Sequence, residues 1–264
     1  WIKIIQSLKN WLFLFILNLG IFTLIWLDMA RPNKLVYVEG NIGTGKSTFV
    51  ENLRQVISKN YPGLSFTVVQ EPVDQWMAMK DQNGKNLLEH FYSDQVKYSF
   101  PFQMNSFISR VNSIYNAVTH DAGNIENPPA QSEHLTLLNY DIVFVERSVF
   151  TDKYCFADMC HKSGKMNDIE YNIYNNWHSW LVRTFNLYAD GYIYLKTEPN
   201  VSHDRIVKRL RSGEEAIPIE YLTDLHNKHN EWLEREENVL TFDFTHDYTN
   251  QDSVVPIVDE ILMY

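Results

Sequence analysis

The residues Gly40-Asn41-Ile42-Gly43-Thr44-Gly45-Lys46-Ser47-Thr48 have types and spacing suited to one chemistry, the binding of phosphate. They match G-x-x-x-x-G-K-[ST], a loop whose glycines let successive backbone N–H groups turn toward an anion. Lys46 would reach the terminal phosphates and Ser47 would ligate Mg²⁺, with the positive end of the next helix behind them. Further chemistry stands at Glu71, with Asp74 and Trp76 just beyond it, and at Glu146-Arg147. Phosphoryl transfer to a hydroxyl needs one carboxylate to take the acceptor's proton and another to hold the metal. It also needs cations to absorb charge on the moving group. A basic run, Arg205, Lys208, Arg209 and Arg211, precedes Ser212-Gly213-Glu214-Glu215 and suits clamping of phosphates during transfer. Aromatics crowd residues 91–115, with Gln103 and Arg110 among them, and Asp152 and Phe156 lie a helical turn apart elsewhere. Most of these rings belong to a core, but rings beside an amide can also hold a nucleobase.

Alternating strands and helices must bring these groups together. Apolar runs at Leu35–Val38, Phe66–Gln70, Asp141–Val145, Tyr192–Leu195 and Val239–Phe242 read as five strands. Helices are expected over Ser47–Lys59, Lys85–Tyr98, Phe102–His120, Thr151–Cys160 and Asp168–Tyr188, the second and third separated by Pro101. Three more follow at Val201–Arg211, Ile219–Glu236 and Asp252–Leu262, and Asp121–Glu133 reads as a loop. This order implies an α/β fold, a doubly wound five-stranded parallel sheet of P-loop NTPase type with helices on both faces. Ligands in such folds bind beyond the carboxyl ends of the strands. Glu71 and Glu146-Arg147 stand at two of those ends, and the phosphate loop at a third.

Of the 264 residues, 33 are acidic and 23 basic, a formal charge of -10, which argues against a nucleic-acid backbone as partner. Two cysteines, Cys155 and Cys160, suit buried thiols in a reducing compartment better than a disulfide framework or a zinc site. Residues 1–33 stand apart from the domain at 34–264. Trp11–Leu27 is a nearly unbroken apolar run of about 17 residues, short for a bilayer span. A membrane anchor, a targeting segment and upstream translation ahead of a start at Met29 all remain open.

The ordered motifs EGNIGTGKST, EPVDQW, FPFQMNSFISR, ERSVFTDKYCFA, RLRSGEE and IPIEYLTDLHNKHNEWL resemble those of the deoxyribonucleoside kinase family across Lys34–Tyr264. The resemblance implies transfer of the γ-phosphate of ATP, with Mg²⁺, to the 5′-hydroxyl of a deoxynucleoside in nucleotide salvage. It implies Glu71 as general base, Arg147 beside the hydroxyl and the phosphates, Lys46 on the donor, and Glu146 with Ser47 on Mg²⁺. Tyr92 and Glu214 resemble the pair that binds the 3′-hydroxyl. Gln103 resembles the amide on the base edge, with Phe102, Phe156 and Trp76 as walls. Arg205, Arg209 and Arg211 resemble lid arginines, and Asp247-Tyr248 resembles the donor-base loop, with His246 where an acidic residue is common. Arg110 and Asp152 resemble the charged pair of members that disfavour thymidine. Ser106–Arg110 tilts the expectation to purine deoxynucleosides, with deoxycytidine close behind. A homodimer in the cytoplasm is implied as well, or a mitochondrial or membrane-anchored one if residues 11–27 are native.

Two other enzymatic readings are a thymidylate-type monophosphate kinase, which would need no carboxylate base, and a GTPase. Asn227-Lys228-His229-Asn230 lacks the Asp of N-K-x-D, against the GTPase. A membrane-tethered nucleotide-binding protein without turnover is the non-catalytic reading.

Overall fold

The computed structural model of the protein describes residues 34–119, 140–214, 217–246, 248 and 250–264. The apolar N-terminal run, the loop at 121–133, Glu215 and Asp247 lie outside the described residues.

Five strands, β1 (Lys34–Glu39), β2 (Phe66–Val69), β3 (Ile142–Glu146), β4 (Gly191–Lys196) and β5 (Val239–Asp243), form one parallel sheet in the order β2-β3-β1-β4-β5. β1 lies at the centre, with Val38 opposite Glu146 of β3. The chain leaves β1 toward β2 and leaves β3 toward β4, in opposite directions, so their carboxyl ends bound a switch-point crevice. Alternation along the strands feeds two cores. Leu35, Tyr37, Val143 and Val145 pack into one, while Val38, Phe144, Ile193 and Leu195 pack into the other. The second core is roofed by α1 (Lys46–Asn60) and by the C-terminal helix Gln251–Met263.

Between β2 and β3 lie α2 (Val73–Ala78), α3 (Leu87–Ser93) and α4 (Gln95–Thr119). The break expected at Pro101 falls instead at Asp94. There the chain leaves helical geometry, and the Asp94 carboxylate accepts from Lys97 N (3.1 Å) to start α4. Pro101 sits inside α4 on its exposed side, and the carbonyl it deprives belongs to exposed Lys97, within reach of solvent. Asn86 and Glu89 close a reciprocal capping box at the start of α3. The short helix α2 went unanticipated because it follows Glu71-Pro72 within a run too brief for a periodic signal.

After β3 come α5 (Val149–Thr151), a π-helical turn (Asp152–Ala157) and α6 (Asp158–Lys162). Then α7 (Asp168–Thr184), α8 (Pro199–Arg209), α9 (Ile219–Leu233) and α10 (Gln251–Met263) complete the layers. Among the described residues no helix is long and apolar enough to cross a membrane.

Candidate active site

A cavity of about 780 Å³ opens at the carboxyl ends of β1, β2 and β3. Its floor is the loop between β1 and α1. Gly43 has φ +78°, and a Cβ there would stand 2.4 Å from the Ser202 carbonyl, so this loop lies flush on α8. Gly45, at φ +104°, caps α1 in the left-handed region, and a Cβ there would meet nothing within 4 Å. The loop is thus packed on one side and open on the side where an anion would sit. Lys46 Nζ donates to the carbonyls of Gly40 (3.1 Å) and Asn41 (2.8 Å). Burial, and then Arg147, lower its pKa to about 7.

Ser47 Oγ donates to Glu146 Oε1 at 2.6 Å, and Glu146 Oε2 accepts from the Glu71 amide at 3.4 Å. The end of β3 is thereby tied to the first turn of α1 and to the end of β2. Two adjacent hard oxygens are a donor set that fits Mg²⁺, which commonly takes one or two protein ligands and fills the rest with phosphate and water.

Glu71 is the hub of the charge network at the end of β2. Its Oε1 accepts from Arg110 Nη2 (3.0 Å) and from Arg147 Nε (3.1 Å). Burial alone would push this carboxyl up, but Arg147 and Arg110 outweigh it and hold its pKa at about 2. Arg147 is presented by a backbone with φ +65°, fixed where its amide donates to the Val38 carbonyl (2.9 Å). A β-branched-free, long side chain tolerates this left-handed position only under such constraint. Arg110 also forks onto Asp152, Nε to Oδ2 at 2.8 Å and Nη2 to Oδ1 at 3.0 Å. Burial disfavours the Arg110 charge, yet Asp152 and Glu71 more than offset it and keep the guanidinium protonated.

Around this network the walls are aromatic. Phe102 stacks on Phe91 (4.4 Å) and meets the edge of Trp76 (5.6 Å), whose indole N–H donates to Ser109 Oγ (2.9 Å). The Arg147 guanidinium lies 5.1 Å from the Phe156 ring, which the π-helical turn carries together with Asp152. Gln103 is 1% exposed, and neither its amide oxygen nor its amide nitrogen has a protein partner. Arg110 Nη1 and Arg147 Nη1 are also buried without one. Three such groups around one cavity are what a polar, planar ligand requires, since an apolar occupant would leave all of them unsatisfied.

Above, Glu214 accepts from both Arg209 and Arg211, the latter at 3.2 Å. Tyr92 shares the cavity, its phenol pushed well up by burial and next by Glu214. Arg205 differs from its neighbours in the basic run. Its terminal nitrogens donate to the carbonyls of Thr44 (2.8 Å), Phe244 (3.0 Å), Thr245 (3.2 Å) and His246 (2.8 Å). Here it ties the phosphate loop to the segment after β5 while lining the cavity with Arg209 and Arg211. Tyr248 stacks on Phe244 at 4.1 Å and lines the same end.

The residues from Ile42 to Thr48, with Glu71, Trp76, Tyr92, Phe102, Gln103, Arg110, Glu146, Arg147, Asp152, Phe156, Arg205, Arg209, Arg211, Glu214 and Tyr248, therefore line one cavity. Gly40 and Asn41 lie beneath it, supplying carbonyls to Lys46, and the Asn41 amide donates to Leu222 O (2.8 Å). One contributor was missed. Glu39, fully buried at the end of β1, accepts from Ser148 N (3.0 Å) and from the Thr151 hydroxyl, aligning the segment after β3 with the phosphate loop. A carboxylate as the last residue of a buried central strand was the signal that could have found it.

The family model for deoxynucleoside kinase matches residues 36–262 of the chain. The chain is 35% identical over 206 residues to the "Probable deoxycytidine kinase" of Fowlpox virus (strain NVSL), covering 78% of this chain and 74% of that one. It is 33% identical over 255 residues to deoxycytidine kinase of Homo sapiens, covering 87% and 91%. With the mitochondrial deoxyguanosine kinase of Xenopus laevis it shares 29% over 222 residues, covering 80% and 77%. A match over nearly the whole described domain, carried by a phosphate loop and an arginine-gripped carboxylate in one cavity, establishes that the chain belongs to the deoxynucleoside kinase family.

Proposed function

We propose that this kinase phosphorylates the 5′-hydroxyl of deoxycytidine and of purine deoxynucleosides in preference to thymidine, with ATP as donor. The observation that carries the reading is the Glu71 carboxylate gripped by Arg110 and Arg147, with the unbonded Gln103 amide in the same cavity. Gln103 can give and accept one hydrogen bond each along the edge of a base held between Phe102, Trp76 and Phe156. The Arg110–Asp152 pair fills the space a thymine methyl would need and presents a charged edge to cytosine or a purine. The tilt toward purines rested on Ser106–Arg110, but Ser106 Oγ is engaged inside that pair, accepting from Arg110 Nη2 (3.2 Å) and donating to Asp152 (3.4 Å). With relatives at 33–35% named for deoxycytidine and one at 29% for deoxyguanosine, deoxycytidine is placed first.

In the reaction Glu71 receives the proton of the 5′-hydroxyl. A carboxylate with a pKa near 2 is a weak base, so the proton moves late, as the oxygen becomes acidic on bonding phosphorus. Arg147, with its Nη1 unengaged, stays beside the oxygen that gains charge. Lys46 and the loop amides hold the donor phosphates. Mg²⁺ held by Ser47 and Glu146 would neutralise charge on the donor's β- and γ-phosphates. Arg209 and Arg211 move from Glu214 to the phosphates, which leaves Glu214 and Tyr92 to hold the 3′-hydroxyl.

The enzyme is further taken to be a cytoplasmic homodimer. On α7, Ile169, Ile173, Trp177 and Trp180 form an exposed stripe at helical spacing, 72%, 40%, 48% and 49% accessible, opposite buried Tyr174, His178 and Val182. Light scattering should give twice the chain mass, and Trp177→Glu with Trp180→Glu should halve it. Steady-state kinetics over the four deoxynucleosides tests the substrate reading. The highest kcat/KM is expected for deoxycytidine, and a highest value for thymidine would overturn it.

A further inference from the structure

The segment carrying the lid arginines does not hang free over the cavity. Glu89, in the first turn of α3, uses Oε2 to accept from Asn86 N (2.7 Å) and close the capping box. Its other oxygen accepts from Ser212 Oγ at 2.7 Å, across 123 residues of chain. The Ser212 hydroxyl, and next the Asn86 amide, hold the Glu89 carboxyl below its usual range. Beside them Gly213 lies at φ +90°, and a Cβ there would stand 3.1 Å from Glu89 Cγ and 3.2 Å from its Cα and amide nitrogen. The turn therefore rests directly on the backbone of α3, at a distance only glycine allows.

Both partners of this contact stand next to site residues along the chain. One turn beyond Glu89 on α3 stands Tyr92, which packs against the cluster of Ile206, Ile217 and Leu222 at the base of the lid. The residues flanking Ser212 and Gly213 are Arg211 and Glu214, joined to each other and to Arg209. Thus α3 meets the lid at its tip and at its base, and the tip contact needs nothing that the capping box does not already hold in place.

We infer that Glu89, Ser212 and Gly213 form a latch, Glu89 acting as a positioning residue that couples closure of the lid over the donor to occupation of the acceptor side. This rests on the reading of the cavity given above, with Arg209 and Arg211 on the donor and Tyr92 on the sugar. Phosphates that hold the lid closed keep Ser212 and Gly213 on α3, a contact an open lid gives up, and so fix Tyr92. A bound deoxynucleoside that fixes Tyr92 presents Glu89 to the lid. By linkage, each ligand then tightens the other by the same factor.

The test is calorimetry on the full chain, titrating deoxycytidine with and without saturating adenylyl imidodiphosphate and Mg²⁺. Ser212→Ala removes the latch bond and leaves the capping box whole. Gly213→Val lifts the turn from α3. In both variants the tightening of deoxycytidine by the ATP analogue is expected to fall roughly three- to tenfold, with the affinity for deoxycytidine alone within about twofold of the parent. Glu89→Gln, whose amide can still bond both Asn86 and Ser212, is expected to retain most of the coupling, and Glu89→Ala to lose it. A contact that merely stabilises the fold would lower the thermal midpoint of these variants without moving the coupling factor. A factor unchanged in Ser212→Ala, or a parent factor of one, overturns the latch. Failure of the parent protein to bind deoxycytidine at all overturns instead the reading of the cavity on which the latch rests.

Discussion

The two halves of the cavity are built by different means. The donor half comes from one contiguous stretch, Gly40–Thr48, whose backbone amides need only positive-φ glycines and the start of a helix. The acceptor half gathers Glu71, Trp76, Tyr92, Gln103, Arg110, Arg147, Asp152 and Phe156 from the ends of two strands, three helices and a π-helical turn. It is held by buried charges whose partners are far away in sequence. Arg110 reaches Glu71 across 39 residues and Asp152 across 42, and Arg147 reaches Glu71 across 76. Backbone binding is local and tolerant of the rest of the fold. A desolvated charge network is neither, because each member depends on the others for compensation.

The largest effect should come from removing the hub. Glu71→Gln keeps the shape and one acceptor oxygen but cannot take the proton, so kcat should fall by roughly 10²- to 10⁴-fold with deoxycytidine affinity within a few-fold. Because Arg147 and Arg110 hold Glu71 at about 2, it remains ionised as pH falls through 5. The acid limb of the parent's kcat/KM profile should therefore lack an ordinary carboxylate inflection between pH 4 and 5. Full activity in Glu71→Gln would remove the base from the proposed mechanism.

Next in size is the dependence of one charge on another. Asp152→Ala leaves the buried Arg110 cation with Glu71 alone, and loss of one partner of a buried pair costs about 3–5 kcal/mol. For a domain of this size that is a fall of roughly ten degrees in thermal midpoint. Arg110→Leu combined with Asp152→Ala should be more stable than Asp152→Ala alone, since no orphaned charge remains. It should also admit thymidine, raising its kcat/KM relative to deoxycytidine. If the double variant is the less stable of the two, the acceptor half is not governed by charge compensation.

The basic run offers a smaller contrast within the donor half. Arg205→Ala frees four backbone carbonyls and should lower the thermal midpoint as well as kcat. Arg209→Ala loses a side chain one-third exposed and, among the described residues, bonded to Glu214 alone, so kcat should fall about tenfold with the midpoint unmoved.

What could be read from sequence follows the same divide. The phosphate loop was legible because spacing alone encodes it. All five strands were legible as short apolar runs, with no end off by more than one residue. Rules about strand ends pointed to Glu71 and Glu146-Arg147, and the aromatics around Gln103 pointed to that amide, while only the family resemblance gave Tyr92 and Glu214 their roles. The helix break was misplaced because Pro101 is a strong local signal, whereas Asp94 works through one side-chain cap that a composition of Ser, Asp and Gln does not announce. The four-carbonyl tie of Arg205 and the contact of Ser212 with Glu89 were not legible, and Glu39 offered only its place at the end of a buried central strand. Each is a partnership over tens of residues or more, of a side chain with distant backbone or with another side chain, and the groups are individually ordinary.

Lys46 belongs to the half proposed for the donor by sequence, yet after burial the next influence on its charge comes from across the cavity. Burial lowers its pKa to about 7, and Arg147 across the cavity is the next cause. In the ligand-free protein at pH 8 the amine is therefore mostly neutral. Donor phosphates favour the ammonium form and raise the pKa, so binding must draw a proton from solvent. Above the lysine's ligand-free pKa, where the triphosphate is fully ionised, binding should take up most of a proton per site, and the uptake should fall as the pH drops below that pKa. Calorimetric titration of the ATP analogue in two buffers of different ionisation enthalpy measures this number directly. Arg147→Gln removes the second cause, so it should lift the ligand-free pKa of Lys46 and reduce the uptake at pH 8. An uptake unchanged in that variant would mean that burial alone sets the lysine, and that the two halves of the cavity are electrostatically separate.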